Sequence, residues 1–317
     1  MLGVLTTTRR VVDRARSVSI DDAAVERLAA RLAERQAEPP PWRVWPHWWD
    51  DSERAATYVL VLDALNFSFW GEPRWRVSYQ GHVLNGYWAL AASLRRAIER
   101  GHPILDAQFL ATIDESAVQA IFAGEAEIPL LTDRVANLRE VGRGLQTAGG
   151  SFAPIVAAAA RSGEALVTDL VRRFPSFDDV ATYDGEQVRF YKRAQILVSD
   201  LYGSYEGYGL GAFDDLERLT AFADYKIPQV LREAGILVYA PALGKVVDRR
   251  QEIPPGDPRE VEIRAATIWG CELLRRCLAD QYGRPTMRAF EIDWLLWSDA
   301  QDREIERPYH RTRTIFY

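Results

Sequence analysis

The chain has 317 residues, of which 48% are hydrophobic, 26% charged and 11% aromatic. That is a globular composition, and it excludes a disordered chain, a collagen and a coiled-coil rod. With 45 acidic against 39 basic side chains the net charge is −6, which speaks against a protein built to bind polymeric nucleic acid, where Lys and Arg must neutralise phosphates. No apolar run approaches the ~18 residues that span a bilayer, and the stretch from Leu2 to Leu5, before Arg9 and Arg10, is too short for a signal-peptide core. Cys271 and Cys277 would point about 120° apart on a helix and cannot bridge within it. Together with four scattered histidines (His47, His82, His102, His310) they give no metal-ligand spacing. The expectation is a reduced, cytoplasmic protein with no membrane partner, no metal and no cofactor.

Helical periodicity dominates from the start. Ser19 with Asp22 resembles a capping box, and Val25, Leu28 and Leu32 follow as an amphipathic stripe until Pro39-Pro40-Pro41. Helices are predicted from Asp51 to Leu65, Leu84 to Arg100, Asp114 to Ala123 and Thr132 to Thr147, the last ending at Gly149-Gly150. Short ones follow from Ile155 to Arg161 and Glu164 to Phe174, then a longer one from Val188 to Tyr205 that runs into a Gly-rich turn. Asp224 to Ala234, Arg259 to Gln281 and Met287 to Asp299 complete the set. Strand-like alternation is confined to Trp75–Val83 and Ile236–Tyr239, so a small β-hairpin is the most that is expected. No segment reads as a linker and no period repeats. The fold class is therefore all-α, mainly helical, as one domain over residues 1–317.

Several side chains stand out against this helical background. On the predicted helix from Val188 to Tyr205, Lys192, Gln195 and Ser199 share a face at i, i+3 and i+7. They are either a solvated stripe or a lysine aimed at an anion with hydrogen-bonding neighbours. Asp224, in Phe222-Ala223-Asp224-Tyr225, is either a helix cap or a carboxylate in a pocket walled by aromatics. Asp293 stands alone in apolar Ile292-Asp293-Trp294-Leu295-Leu296-Trp297, where a buried acid is costly unless paired. Asp299 and Asp302 follow at the helix end, where they oppose the macrodipole. Asp63 is a similar lone acid, His47 sits among Trp42, Trp45, Trp48 and Trp49, and Arg264 has Glu260 at i−4, which reads as a surface ion pair. The apolar ending Thr314-Ile315-Phe316-Tyr317 after His310-Arg311-Thr312-Arg313 reads as docked. No phosphate loop, dinucleotide fingerprint or Gly-x-Ser-x-Gly is present.

These blocks add up to a resemblance. Leu65-Asn66-Phe67-Ser68-Phe69-Trp70, Phe190-Tyr191-Lys192-Arg193-Ala194-Gln195, Phe222-Ala223-Asp224-Tyr225 with Pro228-Gln229, Glu260-Val261-Glu262-Ile263-Arg264, Asp293 with Leu296-Trp297, and His310-Arg311-Thr312-Arg313 look like the queuosine salvage protein family. The likeness runs from about Ser19 to Tyr317 and is weakest from Gly101 to Asp184. It implies a helical fold resembling that of DNA base-excision glycosylases. It also implies hydrolysis of the N-glycosidic bond of queuosine 5′-monophosphate, to queuine and ribose 5-phosphate. Carried over residue by residue, it implies His47, Phe222, Asp224, Asp293 and Trp294 as substrate-binding residues. The family often has a catalytic Asp directly after the Trp of Leu-Trp. Here that position is Ser298, and the acid stands one later, at Asp299, which a one-residue helix shift would bring to it.

The chemistry suits these residues. A carboxylate near C1′ would stabilise an oxocarbenium-like transition state or activate water, so Asp299, Asp224 and Asp293 are the catalytic candidates. Queuine is a 7-deazaguanine, so no ring N7 exists to protonate, and leaving-group help must come through the guanine-like edge. Trp48, Phe69, Phe222, Trp294 and Trp297 would wall the flat base. Lys192 would meet the 5′-phosphate, with Arg264 or the His310–Arg313 segment behind it. The alternatives are a glycosylase on another nucleotide or on damaged DNA, and a non-catalytic module that binds the modified base.

Overall fold

Fourteen α-helices form among the described residues, and the sheets there are three antiparallel two-stranded pairs. The computed structural model describes residues 2–284, 287–301 and 305–317; Asp302 lies outside them. The chain divides into two units, each assembled from separated stretches: residues 1–40, 179–192 and 216–313 form the first, and 41–178, 193–215 and 314–317 the second.

The first unit is built on the helix Pro258–Tyr282. Its ends follow capping chemistry: Asp257 accepts the Arg259 N–H, Pro258 opens the first turn and Gly283 closes the last at φ 65°. From Glu260 to Glu272 every residue is buried, so the helix needs apolar neighbours all round and partners for each charge. Glu262 meets that need by accepting the N–H groups of Arg16, Ser17 and Val18 and the hydroxyl of Tyr183. Val25, Leu28, Leu231, Ile263, Leu274, Ile292 and Leu296 are among the core residues packed with it. Gly270 permits close approach, since a Cβ there would meet Leu231 and Ile236 at 3.3 Å.

The second unit centres on the helix Glu53–Ala64, buried from Ala55 onward. Its last carbonyls would be orphaned, and two buried arginines satisfy them. Arg193 donates to Ala64 O at 2.6 Å, and Arg134 to Leu65 O and Phe67 O at 2.5 and 2.6 Å. The C-terminus docks here, Tyr317 O accepting the Ser68 N–H at 2.9 Å. Among the described residues, no helix is long and apolar enough to cross a membrane.

The mainly helical expectation holds, with more strand than the single hairpin allowed. Arg76–Tyr79 pairs with His82–Asn85, a hairpin in the region where alternation allowed one, and the helix expected from Leu84 starts only at Gly86. Leu237–Tyr239 is a strand, but its partner is distant Val18–Ile20. Val180–Tyr183 pairs with Glu186–Arg189, so the helix expected from Val188 starts only at Lys192. Its turn, Asp184-Gly185, has φ 47° and 81°, the Asp-Gly signature of a tight hairpin. The first capping residue also moves: Ser19 is in a strand, and Asp21 caps Asp22–Glu34 through the Ala24 N–H. Helices Val4–Arg14, Ala107–Thr112 and Pro241–Asp248 were not anticipated.

Candidate active site

Two aspartates and a lysine meet within the first unit. Asp293 is carried by the helix Ala289–Asp299, whose first turn is closed by Glu291 accepting the Arg288 N–H at 2.7 Å. Its carboxyl is 4% exposed. Oδ2 accepts the backbone N–H of Phe222 at 2.8 Å, which ties this helix to the loop before Lys226–Glu233. Burial, and next the charge of Asp224, push the Asp293 carboxyl well above the usual range, against the smaller pull of the Phe222 N–H and Lys192.

Asp224 is half-buried at the end of its loop. Its Oδ1 accepts the N–H groups of Lys226 and Ile227, each at 2.8 Å, so it does close the start of a helix. The same two donors and Lys192 favour its ionised form, while burial pulls the other way and sets the net direction upward. Cys271 lies close enough to feel both acids; burial first, then Asp293 and Asp224, hold its thiol well above its ordinary value. It is an inert thiol.

Lys192 opens the helix Lys192–Ser204 and is 4% exposed. Its charge acts on both carboxylates. Gln195 and Ser199 are fully buried as well, which excludes a solvated stripe, and Ser199 donates back to Ile196 O at 2.8 Å. Arg264 is buried too, and it is not a surface residue paired only with Glu260. It grips Asp179 with two bonds of 2.9 and 2.5 Å, donates to Ala223 O at 3.0 Å and stands 3.7 Å from Glu260. His310, 1% exposed, is held neutral: burial, then the Arg264 charge, lower it to about 3. Arg313 reaches Glu252 at 3.0 Å, and Arg311 pairs through its backbone with Glu252 in a parallel bridge.

Phe222 is buried; Trp294 and Trp297 are half-buried. Trp294 meets Phe290 edge to face at 5.3 Å, and Trp297 leans on the core of this unit. Asp299, on the same helix as Asp293, has a partner of its own. It ends its helix, is about one-third exposed and pairs with Arg35.

His47, Trp48 and Phe69 belong to the second unit. His47 is 3% exposed and stacks on Trp42 at 4.1 Å. Nδ1 lies 2.6 Å from the Trp42 carbonyl and Nε2 2.8 Å from the Tyr87 hydroxyl. A carbonyl oxygen only accepts, so Nδ1 carries the hydrogen; the Tyr87 hydroxyl beside Nε2 also meets the Asp200 carboxylate. Burial lowers the ring to about 4. Phe69 stacks on Trp75 at 6.4 Å, and Trp48 sits edge-on to Tyr58 at 5.7 Å. Asp63 is fully buried, with Asn66 3.5 Å away. Among the described residues no group of three or more His, Cys, Asp or Glu is arranged to hold a metal ion.

Two residues of consequence were not singled out from sequence. Asp179 follows another Asp in a loop with no periodic pattern, and Tyr87 is one of thirteen tyrosines. Neither carries a local signal; only their partners reveal them.

Fold and site together define a mainly helical protein in which the buried Asp293 feels the charges of the half-buried Asp224 and the buried Lys192. A family profile described as queuosine salvage protein matches residues 46–317, and the chain belongs to that family. A protein of Sphaerobacter thermophilus is 60% identical over 100% of this chain and 98% of its own length. One from Mus musculus is 37% identical over 98% of this chain and 97% of its own, and one from Bos taurus 35% identical over the full length of both. All three bear the name queuosine 5′-phosphate N-glycosylase/hydrolase.

Proposed function

We propose that this chain hydrolyses the N-glycosidic bond of queuosine 5′-monophosphate, releasing queuine and ribose 5-phosphate. The observation that carries the reading is that the backbone N–H of Phe222, two residues before Asp224, binds the Asp293 carboxylate at 2.8 Å, and that burial and then the Asp224 charge raise the proton affinity of Asp293. Two neighbouring acids with different environments divide into one neutral acid and one anion. Asp293, more deeply buried and facing a like charge, is the neutral acid. Asp224, with two backbone N–H donors on Oδ1, is the anion.

In this scheme the ionised Asp224 faces the positive charge that develops at C1′ and takes a proton from the attacking water. The hydroxide oxygen bonds to C1′ as the bond from C1′ to the base nitrogen breaks. The electron pair of that bond passes to the base. Asp293 donates its proton to an acceptor on the guanine-like edge, which draws that negative charge off the leaving nitrogen. A proton then returns from Asp224 to Asp293, so water is consumed and the residues are restored. Lys192 holds Asp224 ionised and supplies the cation for the 5′-phosphate. Phe222, Trp294 and Trp297 provide the apolar wall on this side. A small, singly phosphorylated ligand suits a net charge of −6, and two free buried cysteines suit a reducing, cytoplasmic setting.

Purified protein incubated with queuosine 5′-monophosphate should yield free queuine and ribose 5-phosphate, resolved by mass spectrometry. Tight binding without release would replace the hydrolase with a carrier of the modified base. Release from another nucleotide in preference would move the substrate.

A further inference from the structure

The lysine and the two acids are joined from behind by a single hydrogen-bonded strap. It begins at Asp179, immediately before the strand Val180–Tyr183. The Asp179 main-chain carbonyl accepts the N–H groups of Phe190 and Tyr191 at 3.0 and 3.1 Å, and its Oδ2 accepts the N–H of Lys192 at 3.2 Å. Tyr191 lies at φ 49°, a left-handed conformation that a bulky side chain adopts only when its surroundings enforce it. Three bonds to one residue supply that enforcement and fix the direction in which Lys192 leaves the turn.

The same carboxylate is held by both terminal nitrogens of Arg264, at 2.9 and 2.5 Å, with the two side chains 2–3% exposed. The guanidinium lies 3.9 Å from the centre of the Phe190 ring. Its remaining arm, Nε, donates to Ala223 O at 3.0 Å. Ala223 stands between Phe222, whose N–H binds Asp293, and Asp224. A continuous path therefore runs Lys192 N–H, Asp179, Arg264, Ala223 C=O, with a site residue at each end. A buried ion pair is an inefficient way to gain stability, because desolvation consumes most of its Coulomb energy. Its directional, bidentate geometry is an efficient way to fix two backbone segments at one spacing.

We propose that Asp179 and Arg264 are positioning residues, which set the spacing of the Lys192 amine and the Asp224 carboxylate and act on the reaction through them. This rests on the hydrolase reading above. The test is a double-mutant cycle under single-turnover conditions, following queuine release from queuosine 5′-monophosphate. Asp179→Asn keeps the size of the side chain but presents an NH2 group to donors. It should retain its circular dichroism and lose on the order of 100-fold in rate, the scale of a misplacement near 1 Å. In a Lys192→Ala background the same substitution should cost roughly ten-fold less, because part of what it positions is already gone. Equal losses in the two backgrounds would show a merely structural role, and an unimpaired Asp179→Asn would overturn the proposal outright. Should Asp179→Asn not fold, Arg264→Lys, which keeps the charge and loses the fork, takes its place in the cycle. A wild-type protein that releases no queuine sinks the hydrolase reading and this inference with it, a result distinct from an active wild type beside an unimpaired variant.

Discussion

Each unit buries titratable side chains, but on opposite terms. Around His47 in the second unit the ring has partners on both nitrogens: Nδ1–H faces the Trp42 carbonyl, Nε2 lies 2.8 Å from the Tyr87 hydroxyl, and Trp42 covers one face. Burial disfavours the ionised form of the ring, and the ring stays neutral. Around Asp293 in the first unit two acids share one environment with a lysine, and the structure keeps a like-charge conflict that an Asn or a Leu would remove. Complementary burial builds a fold. Retained conflict concentrates at functional sites, although structural ion pairs produce it too.

The largest expected effect falls on the conflicted pair. Asp293→Asn should lower kcat by roughly 10²–10⁴, the usual worth of a positioned proton donor, yet leave the protein as stable or more so. The sign follows from linkage. The acid holds its proton more tightly folded than unfolded, so its contribution falls as pH rises from 3.8 toward the raised folded value. The Asn variant should therefore gain on the wild type in urea midpoint between pH 4 and pH 8. A variant that is both active and destabilised would remove the conflict from the account.

The second test separates the two acids. If Asp293 must be protonated, kcat/KM falls on the alkaline side as the pair loses its proton, and that limb belongs to the pair jointly. Asp224→Asn removes the neighbouring charge that raises Asp293, so the residual activity should show the limb at lower pH. A limb that stays in place assigns it to some other group. Lys192→Ala comes next. Losing a charged hydrogen bond to phosphate should weaken the monophosphate by about 10- to 100-fold and the unphosphorylated nucleoside far less, as read by calorimetry. Equal losses on both would leave Lys192 as a partner of the carboxylates alone.

The complementary side should answer in stability rather than in rate. His47 stays neutral in the folded state down to about 4, whereas an unfolded imidazole charges below 6.5. Its contribution is fully present above 6.5 and is lost as pH falls through that window, by up to about 1.4 kcal/mol per pH unit. Tyr87→Phe removes the hydroxyl 2.8 Å from Nε2 and should cost on the order of 1–3 kcal/mol at pH 7, the penalty for a buried polar group left without its partner. An unchanged urea midpoint would contradict the hydrogen bond. Smallest of all should be Asp299→Asn. Its pairing with Arg35 at the surface is worth no more than about 1 kcal/mol, and kcat should stay within about two-fold. A collapse of turnover would instead bring Asp299 back among the catalytic acids.

Much of this protein was legible in its sequence because the signals are local. Apolar spacing and capping residues set out most of the helices, and the lone acid in Ile292-Asp293-Trp294 marked its own anomaly. The motif blocks carried the family. The Asp184-Gly185 hairpin was equally local and went unread, its strands being short and flanked by helical pattern on one side.

What the sequence could not decide were matters of partner. Glu260 and Arg264 have the spacing of a surface ion pair whether or not the helix is buried, and only the packing of Pro258–Tyr282 turned Arg264 toward Asp179, 85 positions away. Asp224, Asp293 and Asp299 are equivalent acids on paper. One ends a helix beside Arg35, and two are brought together by a loop whose backbone N–H reaches across to Asp293. Side-chain identity is written residue by residue, but proton affinity depends on desolvation and on neighbouring charge, and both exist only once distant segments have packed.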